Sequence, residues 1–259
     1  GDFSVAVDLN HLGKVQEVYF LPERMASALT EAETKQICII PYVSRQEVGD
    51  AILLHGPEVF MKLQIIACKT YDEVWDAAVR PTGGPLAQAV EKFRRMSASP
   101  ASFRAEGGRE QLLEILELAP NHLSARLVLA ALDGKLPKKL TPKTTLQRVG
   151  AIAGEFDRGF SGRNSRSARI LSNETSGLDK ALEELNRLKD ISDPRIQPYI
   201  EAVIFHAQLN RRVANGYGNM SEEQVRSFEE EQEAAGDKSQ MLYERLIRDP
   251  VIQREISGD

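Results

Sequence analysis

The run Arg80-Pro-Thr-Gly-Gly-Pro85 constrains this chain more than any other segment, because two prolines flanking a glycine pair let neither helix nor strand continue. On its N-terminal side, apolar runs of strand length alternate with helical patterns. The readings are strands at 4–9, 14–18, 36–41 and 64–70, with helices at 22–33 and 71–79 and a broken helical stretch at 46–61. That alternation predicts a parallel or mixed sheet with crossover helices. On its C-terminal side strand signals all but vanish. The sequence therefore predicts an α+β fold, with a small αβ domain over 1–80 followed by an all-α helical domain over 81–259.

The helical part is read from apolar spacing. Leu86, Val90 and Phe93 mark a short amphipathic helix. Leu112-Leu-Glu-Ile-Leu-Glu-Leu-Ala-Pro-Asn-His-Leu-Ser-Ala125 predicts two helices joined by a tight turn, with Asn121 as N-cap and an end at Asp133-Gly134. Further helices are expected from Pro142 to about Phe156, over 175–189, from Asp193-Pro194 to about Val213, over 221–235 after a Ser-Glu-Glu cap, and over 240–248. The junction in 109–134 resembles the seam between tetratricopeptide repeats. Only one copy is present, where about three stacked repeats are needed for a solenoid, so an α-hairpin inside a helical bundle is expected.

A formal charge of −5, with 42% hydrophobic and 27% charged residues, fits a globular chain and offers no electrostatic case for nucleic acid. No apolar run reaches membrane-spanning length, so a chain without a membrane segment is expected. The compartment stays open, with the cytoplasm favoured, and so does the oligomeric state. Cys38 and Cys68 sit in apolar strand patterns and read as buried reduced thiols; a disulfide stays open because the two strands could be neighbours.

Four motifs in order carry a family resemblance. Leu12-Gly-Lys-Val-Gln-Glu-Val18, the helix at 21–29, Gln36-Ile-Cys-Ile-Ile-Pro41 and Lys69-Thr-Tyr-Asp-Glu-Val-Trp-Asp-Ala-Ala-Val79 together resemble the C-terminal half of a Lon-type serine-lysine protease domain, over residues 4–79. That family attacks peptides with a serine activated by a neutral lysine. Aligned on Val18, the family's glycine pair falls on Tyr19 and Phe20, and its catalytic lysine on Arg24. A guanidinium stays charged and cannot act as the base. Neither Lys14 nor Lys35 replaces it, and the family's Gly-Pro-Ser-Ala-Gly nucleophile turn does not occur in this chain.

The resemblance thus implies an inherited fold with a degenerate site and no catalytic residue. The expected function is a non-catalytic scaffold or protein-interaction protein with a protein or peptide partner and no cofactor. The alternative is the C-terminal portion of a larger Lon-like peptidase, ATP-independent, whose nucleophile lies upstream of residue 1.

Other candidates are weaker. Arg158, Arg163, Arg166 and Arg169, interleaved with glycine and serine, could offer guanidinium forks to an anion, although a solvated loop explains the same composition. His11, His55, His122 and His206 lack metal-ligand spacing, and the acidic run at 229–233 reads as a solvent face, so no metal site is expected. Trp75 reads as a packing anchor.

Overall fold

The computed structural model describes residues 3–10, 14–16, 18–30, 37–80, 82–161, 171–216 and 221–257, with the side chains of 8, 9, 100, 155–161, 171–176, 213–216 and 257 left aside. The fold is α+β. It comprises two compact units, Gly1–Lys138 and Lys139–Asp259.

In the N-terminal unit β1 (Phe3–Val5), β4 (Ile37–Pro41) and β5 (Gln64–Cys68) form a parallel sheet in the order β1-β4-β5. β2 (Asp8–Leu9) and β3 (Val15–Gln16) pair separately as an antiparallel ribbon. The single strand expected over 4–9 is therefore shared between two sheets: its first half pairs with β4 and its second with β3. α1 (Leu21–Thr30), α2 (Glu47–His55) and α3 (Glu58–Met61) lie between strands, and α4 (Tyr71–Val79) follows β5.

β4 and β5 are buried throughout, as expected of strands covered on both faces. Their side chains alternate between two layers. Cys38, Ile40, Ile65 and Ala67 join α1 and α2, while Ile37, Ile39, Ile66 and Cys68 face Val74 and Ala77 of α4. The alternation settles the cysteines: Cys38 and Cys68 point to opposite faces of adjacent strands, and both are free. Burial pushes each thiol up to about 12, which keeps both protonated and unreactive.

The proline-glycine run ends α4 but does not bound a domain. Arg80 takes a left-handed C-cap at φ 47°, and Pro85 opens α5 (Pro85–Ser97). α5 returns Ala89, Phe93 and Met96 to the sheet's core, followed by α6 (Gly108–Leu118) and α7 (Leu123–Leu132). The expected division at residue 80 is thus corrected to Lys138/Lys139. The physical reason is the outer edge of β5, which would otherwise present unpaired backbone groups. The α6–α7 turn covers it: Ala67 N–H donates to the Asn121 carbonyl at 3.0 Å, and Ile65 N–H to Ser124 Oγ at 2.8 Å. Past α7, Pro137 still packs on α2, where a Cβ on Gly49 would lie 2.6 Å from its ring; only glycine admits that approach.

The C-terminal unit is helical among its described residues: α8 (Pro142–Ser161), α9 (Leu171–Ile191), α10 (Gln197–Gly216), α11 (Glu222–Arg248) and α12 (Pro250–Ser257). The expected α9 stripe of Leu178, Leu182, Leu185 and Leu188 is buried. α11 opens with a capping box between Ser221 and Gln224. It runs unbroken where two helices were expected. Gly236, between the two expected helices, lies inside α11, where a Cβ would meet the His206 ring at an ordinary contact distance of 3.6 Å.

Candidate functional site

α6 and α7, whose turn closes the β5 edge, also line a groove. α3 follows the turn at Gly56 and Pro57 and brings Phe60 and Met61 to one wall. Phe103, ending a 3₁₀ turn over Pro100–Phe103, supplies the base, and α7 lines the other wall with Val128 and Leu132. Phe60, Phe103 and Val128 are buried, whereas Leu132 is exposed. The groove encloses about 1130 Å³, above the range of about 300–1000 Å³ usual for small ligands.

Its rim is charged. Arg109 Nη1 donates to Asp133 Oδ1 at 2.7 Å, tying α6 to the end of α7, and Lys135 adds a contact to the same carboxylate at 3.3 Å. Hydrogen bonds from Arg109 and Lys135 hold the Asp133 carboxyl below its ordinary value. Arg104 and Glu110 also line the groove, and Arg104 makes no ion pair among the described residues. Apolar walls with a few charges at the edge favour binding over reaction.

At the β5 edge lies a buried polar lock that sequence reasoning missed. The expected N-cap of α7 was Asn121, but the cap is His122, whose Nδ1 accepts from Ala125 N–H at 3.3 Å. Nε2 must then carry the proton and donates to Gln64 Oε1 at 3.0 Å. Ser124 Oγ donates to the Leu63 carbonyl at 3.0 Å while accepting from Ile65. Burial pushes the His122 imidazole down to about 4, consistent with a neutral ring. The signal was Gln64, a polar residue opening an apolar strand and requiring a buried partner.

Arg24 is exposed on α1, away from the groove lining. Tyr19 and Phe20 are exposed in the turn before α1, and Phe20 adopts φ 56°. Arg158 belongs to α8 rather than to a loop, with its side chain outside the described set, and Arg163, Arg166 and Arg169 lie outside the described residues. Trp75, expected to anchor packing, is 56% exposed. The acids at 229, 230, 231 and 233 face solvent, and the described residues contain no cluster of three metal-ligating side chains. No described helix is long and apolar enough to cross a membrane. No family model matches this chain, and no curated protein or solved structure does either.

Proposed function

We propose that the chain is a protein-interaction module, a scaffold built on a degenerate Lon-type αβ layer, and that the groove between α3 and α7 receives an apolar segment of a partner protein. The observation carrying this reading is the groove itself: apolar walls, a size suited to a short helix, and a charged rim including one unpaired guanidinium. The occupant is an amphipathic helix whose apolar face meets Met61 and Leu132, with a carboxylate at the Arg104 end.

Two features support the inherited layer. The element order follows the four motifs of the resemblance. Phe20, aligned with a glycine of that family, holds the left-handed backbone that glycine adopts freely and that costs another residue about 1 kcal/mol or more. A substituted glycine would leave this trace.

Peptide display against the full chain tests the groove. Selected peptides should share apolar anchors spaced three and four apart, and lose about tenfold in affinity, about 1.4 kcal/mol, when Leu132→Glu is introduced. Selection of peptides indifferent to Leu132→Glu and Met61→Glu would overturn the reading.

A further inference from the structure

A second surface of the N-terminal unit lies at the carboxyl ends of the parallel strands, the end of an open α/β sheet where ligands are usually received. β4 runs into Tyr42 and β5 into Lys69. The Arg45 guanidinium lies 4.3 Å and the Lys69 ammonium 4.4 Å from the centre of the Tyr42 ring. Lys14 reaches the same end through a backbone bridge to Thr70. None of these three exposed cations has a carboxylate partner among the described residues. The Glu73 carboxylate accepts instead from the Lys69 backbone N–H at 2.6 Å. Cation-π contact at an exposed site is worth only about 0.5–1 kcal/mol, so the positive charge remains available.

α4 extends this cluster with an uncovered apolar stripe. Thr70 caps the helix, and burial of Val74 and Ala77 fixes its rotation. Tyr71, Trp75 and Val79, at spacings of four, therefore share the outer face. They are 45%, 56% and 54% exposed. Tyr71 and Trp75 stack with ring centres 6.4 Å apart and planes inclined by 28°, making an aromatic platform left exposed among the described residues.

We propose that this surface docks an acidic, apolar peptide segment of a partner protein, its carboxylates on Arg45 and Lys69 and its apolar side chains along Tyr71, Trp75 and Val79. Charge complementarity selects the carboxylates, and the aromatic pair supplies rigid apolar contact. Asp72 and Asp76 are exposed beside the stripe and repel a continuous phosphate backbone, which argues against single-stranded nucleic acid. A peptide with acids at one end avoids them. The surface shares no residue with the groove, so either site can fail without the other.

Trp75 is the only tryptophan in the chain, so its emission reports occupancy directly. The probe is acetyl-Glu-Asp-Glu-Leu-Ala-Ala-Phe-Leu-amide, titrated into the full chain beside a version with lysine in place of each acid. Saturable emission change with a Kd of about tens of micromolar is expected, weakening as salt rises. The Arg45→Glu/Lys69→Glu variant should bind at least tenfold more weakly. Trp75→Ala, read by anisotropy of labelled peptide, should do the same, whereas Leu132→Glu in the groove should change nothing. All these positions are exposed, and circular dichroism checks the folds. No response by about 1 mM peptide, equal response to the lysine version, or a uridine oligonucleotide or inorganic phosphate matching the acidic peptide would each overturn the proposal.

Discussion

In the N-terminal unit the buried side chains of Gln64, His122 and Ser124 all serve one strand edge, whereas in the C-terminal unit Thr145, Ser192 and Asn210 join helix to helix. The difference follows from backbone chemistry. A helix satisfies its own interior amides, so a polar contact between helices, such as Thr145 to Ser192 at 3.3 Å, sets register. An edge strand cannot, and every buried donor left there costs about 1–3 kcal/mol. Tertiary polar contacts should therefore be worth more in the first unit, and the comparison can be attacked at several strengths.

The largest expected effect probes packing around the lock. Phe93 is fully buried, with its ring centre 4.8 Å from that of His122 and 5.6 Å from that of Phe103. Phe93→Ala should destabilise the N-terminal unit by about 3–5 kcal/mol, read by Trp75 emission in urea. A loss below about 1 kcal/mol would mean that α5 is not part of that unit's core and would return the boundary to the Pro-Gly run.

That boundary marks where the sequence ceased to be legible. Local periodicity placed β4, β5, α4 and the α6–α7 hairpin within a residue or two, because their apolar spacing is strong. Arg80–Pro85 was legible as a stop but not as a turn back to the same core, since composition encodes chain stiffness and not which surface the next helix covers. The cap at His122, rather than Asn121, depended on Gln64, 58 residues away. Trp75 reads as an anchor from sequence yet is exposed, because α4's periodicity turns Val74 and Ala77 inward and says nothing of what covers the opposite face. The groove joins α3, α6 and α7 across intervals that no local pattern links.

A sharper test removes the lock's hydroxyl. Ser124→Ala deprives Ile65 N–H of its acceptor and the Leu63 carbonyl of a donor where water does not reach, at a cost of about 2–3 kcal/mol. Amide exchange at Ile65 should accelerate accordingly. Thr145→Val in the C-terminal unit should cost about 1 kcal/mol or less by urea denaturation. Equal losses would end the distinction between the units.

Acidity sets two groups of the N-terminal unit against each other. The His122 pKa falls from 6.5 to about 4, so folding loses stability as pH drops from 6.5 toward 4, where the unfolded chain takes a proton that the folded one refuses. The Glu47 pKa rises from 4.5 to about 7 through burial, then the nearby charge of Asp50. Its contribution is fully present below 4.5 and is lost as pH rises toward 7. Between pH 4.5 and 6.5 the two slopes oppose and nearly cancel. Glu47→Gln, which mimics the protonated carboxyl, should expose the histidine alone: a loss of about 2 kcal/mol on acidification from pH 6.5 to 4.5. An unchanged pH profile in urea denaturation would mean that His122 is not held neutral.

The smallest effect belongs to the ion pairs of the C-terminal unit. Arg195 Nη2 contacts Asp193 Oδ2 at 2.7 Å and Glu255 Oε2 at 2.8 Å, linking the turn before α10 to α12. All three side chains are partly solvated, so water screens the attraction and holding them in place costs rotamer entropy. The hydrogen bonds that Arg195 donates to Asp193 and Glu255 raise its pKa, which adds no pH dependence near neutrality because the guanidinium is charged in folded and unfolded chains alike. Arg195→Ala should lower stability by no more than about 1 kcal/mol, and the difference should vanish at about 1 M salt. The Ser124→Ala loss should persist there, since neutral hydrogen bonds in a dry strand edge leave salt nothing to screen. If the arginine effect instead resisted salt, the C-terminal unit would also depend on a desolvated polar contact, and the contrast would reduce to position in the fold.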